Sequence, residues 1–286
     1  MIVRPATERD IGGMVALLQG HMNPKWPPER WRRLFDYAWA SDRPDLGRVV
    51  ERGGEIVGCL AAVSSTREID GRVECFCNPA AWYLRKNVRH EAAGAGLAMM
   101  RDLIADPARH YIINTSSAAT VRLLRRMGFV DLETEKYVWR GPPASVSPIR
   151  LERDPDRIAA RVSAAERRLL ADHRGLPVTP LLARHPNGET LIVVAETIKG
   201  DAEAWVDVLY VADVDVLARH GDALAARLLS DTCHVLAADS RFCASPPPGA
   251  VVEPIAVPHF MKTPGLPRRH FDHLYSEIQL LGLKLR

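Results

Sequence analysis

"AWYLRKNVRHEAAGAGLAMMRDLI", residues 81–104, decides the fold. It opens as a short apolar and aromatic run of strand character, crosses a basic stretch, and reaches two glycines, Gly94 and Gly96, set among alanines. Apolar residues at helical spacing follow. Strand, small-residue loop and helix in that order make a common anion site. The first N–H groups of a helix have no partner inside it, and the helix dipole adds partial positive charge there. Small residues let a pyrophosphate approach the backbone. The dinucleotide-binding version fits poorly. It needs the motif early in a βαβ unit with an acid about 20 residues on, whereas a hairpin precedes this strand.

Outward from that stretch, the chain reads as a duplication. "VLYVADVDVLARHGDALAARLLSD", residues 208–231, has the same order of strand, loop and helix. Tyr83 precedes Gly94 by the interval that separates Tyr210 from Gly221, and Leu97 and Leu224 follow at matched distance. A short strand comes next in each half, "HYIIN" at 110–114 and "HVLAAD" at 234–239. Each half also opens with a strand, an acidic turn and an amphipathic helix, then a hairpin, turning at Gly53-Gly54 and at Asn187-Gly188. "RGPPASVSPIR", residues 140–150, has no apolar period and reads as a linker. The expected organisation is a first domain at 1–141, a linker at 142–149 and a second domain at 150–286.

Composition bounds the function. The formal net charge of +3 over 286 residues argues against nucleic acid or an anionic membrane as partner. No apolar run is long enough to span a bilayer, and the charged start MIVRPATERD does not read as a signal peptide, so a cytoplasmic protein is expected. The five cysteines are an odd, scattered set that reads as reduced core thiols; Cys75 and Cys77 have no second pair with which to complete a zinc site. No metal is expected. The oligomeric state is not readable from the sequence.

Four pieces of the first half, in order, resemble the GNAT superfamily of acyl-CoA-dependent N-acyltransferases. "IVRPATERDI" is similar to its first strand and helix start, and "GGEIVGCLAA" to its second and third strands. "RHEAAGAGLAMMRDLI" resembles its pyrophosphate-binding motif, and "SSAATVRLLRRMGFVDLE" its closing helix and strand. The resemblance implies an α/β fold of α+β type: two GNAT-like units in tandem, each a mixed, mostly antiparallel sheet flanked by helices. The second unit is degenerate, with a single glycine and Asp222 where a phosphate would sit.

The implied activity is transfer of an acetyl or longer acyl group from acyl-CoA, as co-substrate, to an amine of a small-molecule acceptor. The alternative is a non-catalytic acyl-CoA sensor or scaffold. The resemblance implies CoA contacts at Tyr83, Leu84, Arg89, Ala92, Ala93, Gly94, Ala95, Gly96 and Ser117. Two places depart from the motif: Glu91 stands where the motif opens with Arg or Gln, and Leu124 where many members carry a thiolate-protonating Tyr. Three candidates for catalysis follow from residue type and place. His21 is a possible base at the end of the first helix, and Glu74 a strand carboxylate. Asn114, ending the "HYIIN" strand, would orient substrate or pantetheine amides. Trp31, Phe35 and Trp39, four apart, are expected on one helical face.

Overall fold

The computed structural model describes residues 1–39, 45–91, 94–141, 149–200, 202–230 and 233–285. In chain order the elements are β1 (Ile2–Pro5), α1 (Ile11–Leu17), α2 (Pro28–Arg32), β2 (Gly47–Arg52), β3 (Glu55–Ile69), β4 (Arg72–Leu84), α3 (Ala95–Leu103), β5 (His110–Ile113), α4 (Ala118–Arg126) and β6 (Val130–Arg140). The second half continues with β7 (Arg150–Glu152), α5 (Pro155–Ala159), α6 (Ala164–Asp172), β8 (Thr179–His185), β9 (Gly188–Lys199), β10 (Glu203–Val211), α7 (Val214–Leu228), β11 (Val235–Asp239), β12 (Val251–Lys262) and α8 (Glu277–Leu281).

Two units emerge, and neither is a continuous stretch of chain. The first comprises Met1–Val130, Phe260–Leu266 and Tyr275–Leu283; the second comprises Asp131–His259, Pro267–Leu274 and Lys284–Arg286. This differs from a division at 142–149. The strand that follows α4 works in the second unit, where β6 pairs antiparallel with β11, Trp139 opposite Leu236. The end of β12 works in the first unit, where Phe260 faces Ile113 of β5. Residues 142–148 of the expected linker lie outside the described residues.

The sheet of the first unit runs β1-β2-β3-β4-β5 and then the end of β12. All its pairings are antiparallel except β4 with β5. Its core gathers Val50, Leu60 and Cys77 from the strands with Met99, Met100 and Leu103 from α3, and is closed by Leu124, Phe129 and Phe260. The second unit runs β7-β8-β9-β10-β11-β6 and then β12; β10 pairs parallel with β11, and β7–β8, β8–β9, β9–β10 and β11–β6 are antiparallel. Its core is built from Leu181, Ile192, Val194, Val206 and Leu236 under Leu217 and Leu224 of α7. Each unit is thus a mixed, mostly antiparallel sheet flanked by helices, and β10, α7 and β11 give the strand, helix and strand expected of the second half.

Some expectations fail locally. α2 is one short turn ending at Arg32, so Trp31, Phe35 and Trp39 do not share a helical face; Trp31 and Phe35 are buried from separate turns. Pro27 and Pro28 start that helix, and nothing beyond Arg33 sustains it. The cysteines are not all core thiols. Cys59 and Cys77 are, with burial pushing each thiol up to about 12, but Cys75 is exposed. β12 escapes sequence reading because Pro254 and Pro258 interrupt it. Both prolines fall in the part that ends the second unit's sheet, while the proline-free end makes the ladder with β5.

Candidate functional site

The site of the first unit forms where β4 and β5 part. They pair only at Phe76–His110 and Cys77–Tyr111. Beyond this, Asn78 spans the start of the gap, its Nδ2 donating to Ile112 O at 2.8 Å. Three residues on, β4 carries an extra residue against β3, and Ala81 takes a φ of 50°. A non-glycine residue in the left-handed region is uncommon. Bulges of this kind re-aim the backbone and cluster at functional sites. The ladder resumes at Tyr83, opposite Cys59.

The chain then turns toward α3. Gly94 stands at the N-cap with φ 86° and open space around it, and no side chain caps the helix. A Cβ at Gly96 would lie 3.7 Å from the Trp82 indole nitrogen. Glu91, the acid in the loop, is 3.0 Å from Arg52, which draws its charge aside. Arg89 lies over the Tyr83 ring at 5.9 Å and donates from Nε to Leu84 O at 3.0 Å. His21, exposed, stacks on the other partner of this group, its ring 6.4 Å from Tyr83 and within 9° of parallel. Tyr83, Leu84, Arg89, Gly94, Ala95, Gly96 and His21 therefore gather at one end of the gap. Ala92 and Ala93 lie outside the described residues.

The other candidates separate. Glu74 sits seven residues before Ala81 on β4, roughly 23 Å away at about 3.3 Å per residue. Its Oε2 is 2.9 Å from His110 Nε2, and His110 Nδ1 is 2.8 Å from Thr263 Oγ1. Glu74 thus ties β4 to β5 through His110, which in turn reaches the turn after β12, away from the gap. Ser117 is the N-cap of α4, its N–H donating to Thr120 Oγ1 at 3.2 Å. Leu124 is 1% exposed in the core, so no proton donor stands at that place.

Asn114 stays at the gap. It is 6% exposed, and neither its Oδ1 nor its Nδ2 has a hydrogen-bond partner among the described residues. A buried amide left that way costs free energy unless a ligand satisfies it. Its neighbour Thr115 donates to Glu277 Oε1 at 2.5 Å, and the Glu277 N–H donates to Asn78 Oδ1 at 3.1 Å. Asn78, Thr115 and Glu277 were not singled out by sequence. The one available signal is Ser276-x-x-Gln279, a capping box that starts α8. Asp272, which also has the residue type of a helix cap, instead accepts from Leu274 N in a turn before the helix.

The second unit repeats the frame without the opening. β10 carries a bulge between Val208 and Tyr210, and Tyr210 resumes the ladder opposite Val193. There the Leu209 carbonyl accepts from His273 N at 3.0 Å. α7 begins at Val214, breaks at His220 and resumes with Gly221. Asp222, in the first turn of the resumed helix, accepts from Trp139 Nε1 at 3.0 Å.

Asp239, His259 and His273 converge nearby, all buried. Donor type alone would suit a divalent cation. But His273 Nε2 (2.8 Å) and His259 Nδ1 (3.3 Å) both approach the same Asp239 Oδ2, to which Arg241 also donates. The permanently charged guanidinium, 1% exposed at its side chain, already takes the place of a cation. These residues do not fit a metal.

No helix among the described residues is long and apolar enough to cross a membrane. No protein-family model matches the chain, and no curated protein matches it. Solved structures do. A GCN5-related N-acetyltransferase of Anabaena variabilis superposes with a TM-score of 0.58 at 11% identity, over 91% of this chain and 72% of that one. A conserved protein of Enterococcus faecalis V583 gives 0.58 at 14%, over 92% and 72%. A GCN5-related N-acetyltransferase of Kribbella flavida gives 0.56 at 12%, over 92% and 71%. With a parallel strand pair, a bulge and the following helix repeated in both units, the chain has the fold of the GCN5-related N-acetyltransferases.

Proposed function

We propose that the chain is an N-acyltransferase that moves an acetyl or longer acyl group from acyl-CoA to the amine of a small molecule, and that the first unit holds the site. The observation that carries this reading is the Ala81 bulge at the mouth of the β4–β5 gap, in line with the uncapped α3 N-terminus at Gly94. Pyrophosphate would lie on the N–H groups after Gly94, with Arg89 and Tyr83 beside it. Pantetheine would run along Tyr83 and Leu84, and its amides would meet the orphan carboxamide of Asn114. Backbone N–H groups at the bulge would polarise the thioester carbonyl. Holding the amine and the carbonyl together supplies much of the rate gain. Acyl-CoA and five free cysteines fit the cytoplasm as its place of action. The test is a thermal-shift titration with acetyl-CoA and longer acyl-CoAs, followed by thiol release with a panel of amines. No shift with any acyl-CoA overturns the reading.

A second reading, an acyl-CoA sensor without turnover, is favoured by one observation: Leu124 is core, so the usual thiolate donor is missing. Binding without thiol release would select it.

A further inference from the structure

We propose that Glu277, carried by the C-terminal helix α8, is the proton acceptor for the amine. This inference rests on the acyltransferase reading. Glu277 belongs to the first unit and is 1% exposed. Two bonds fix it at the point where β4 and β5 part. Its N–H bonds to Asn78, the residue that spans the start of the gap, and its Oε1 accepts from Thr115. Asn114, with both amide atoms unsatisfied, adjoins Thr115. Thr115, which holds the carboxylate, and Asn114, which carries the orphan carboxamide, lie one residue apart along the chain just after β5, and together the two groups suit an ammonium group: the acid takes its charge, and the amide oxygen takes an N–H.

Tyr275, two residues before Glu277, meets Trp39 edge-on at 5.1 Å. A primary amine on an apolar or aromatic body is the class of acceptor this favours. The charged neighbours on the packed elements are Arg67, 5.5 Å over the Tyr275 ring, and Arg30, whose Nε donates to Leu281 O at 2.7 Å. His110 and Glu74 pair with each other at the paired end of β5.

The step balances. The ammonium gives one proton to the Glu277 carboxylate. The freed nitrogen attacks the thioester carbonyl carbon, the C–N bond forms and the C–S bond breaks. The thiolate takes a second proton from that nitrogen, leaving an amide, free CoA thiol and one proton, which Glu277 returns to water.

The experiment uses the full chain with acetyl-CoA and benzylamine, following thiol release from pH 5 to 9. Glu277→Gln should lower kcat/KM for the amine about 100-fold, flatten the acidic limb of the profile, and leave acetyl-CoA binding within twofold of the parent. Parental kcat/KM with an unchanged limb overturns the proposal. Where Glu277→Gln does not fold, Thr115→Val decides. Losing the hydroxyl that bonds the charged form should move the acidic limb to higher pH, and an unmoved limb overturns the proposal. Failure of the parent to bind acetyl-CoA overturns the acyltransferase reading itself. If the parent binds but releases no thiol with benzylamine or the other primary amines, the Glu277 assignment falls while the binding site stands.

Discussion

Trp139 lays its indole against Gly221 and donates its Nε1–H to Asp222 Oδ1 at 3.0 Å. In the second unit this ring and this carboxylate take the place that an anion would need beside the resumed α7. A Cβ at Gly221 would lie 2.5 Å from Trp139 Cζ2. Gly221→Ala should therefore destabilise the protein by about 1–3 kcal/mol, the cost of overpacking a filled core. Chemical denaturation of the full chain checks this, and acyl-CoA affinity should not change.

Gly94 should matter for affinity rather than for packing. Its surroundings are open, so Gly94→Ala should cost only the left-handed strain of roughly 1–2 kcal/mol. Gly94→Glu adds a carboxylate at the α3 N-terminus, where it satisfies the dipole and repels phosphate. Acetyl-CoA affinity should fall about tenfold or more beyond the alanine variant. Equal affinity of the two variants in a thermal-shift titration would place the pyrophosphate elsewhere.

Residues 1–147 expressed alone should be insoluble or melt far below the full chain. The first unit takes Phe260–Leu266 and Tyr275–Leu283 from the other end of the sequence. Phe260, Ile278, Leu280 and Leu281 are all buried. Each contributes about 1.5–3 kcal/mol on burial, against a net stability of roughly 5–15 kcal/mol for a whole domain. A soluble fragment with the melting temperature and CoA affinity of the full chain would refute this.

Acid should weaken the second unit through Asp239 and His273. Burial pushes the His273 imidazole down to about 4, although Asp239 beside it works in the other direction. Its folded value lies below its unfolded one, so its contribution is complete above about 6.5 and fades as pH falls toward 4. Burial alone would raise the Asp239 carboxyl, but Arg241, His273 and His259 hold it well below the usual range. Its contribution has the same sign and fades at still lower pH. The urea midpoint of the full chain should fall between pH 6.5 and 4, and His273→Gln should flatten that limb.

Arg241→Met should be among the most damaging single changes, by about 3–5 kcal/mol, because it leaves Asp239 and Glu133 as buried carboxylates without their guanidinium. Thermal melting at pH 7 measures it. Breaking a surface pair such as Arg161–Glu189, which salt and solvent screen, should leave the melting temperature nearly unchanged.

The sequence by itself determined what local order can carry. The spacing of apolar residues and the glycine turns gave the hairpins at Gly53-Gly54 and Asn187-Gly188, the strand, loop and helix around Gly94, and its echo at Gly221. Tyr83 and Tyr210 do occupy one place in two frames, each the first ladder residue after a bulge. Only the tertiary structure decided which strands close each unit. β6 and the end of β12 pair with strands far away in sequence, and no periodicity encodes a partner. The Ala81 bulge is set by register against β3, which a run of alanines does not reveal. Glu74 stood out in the sequence as a strand carboxylate, and Glu277 did not. Burial and hydrogen bonding sent the first to His110 and the second to the parted strands, because a side chain's role follows from what surrounds it after folding.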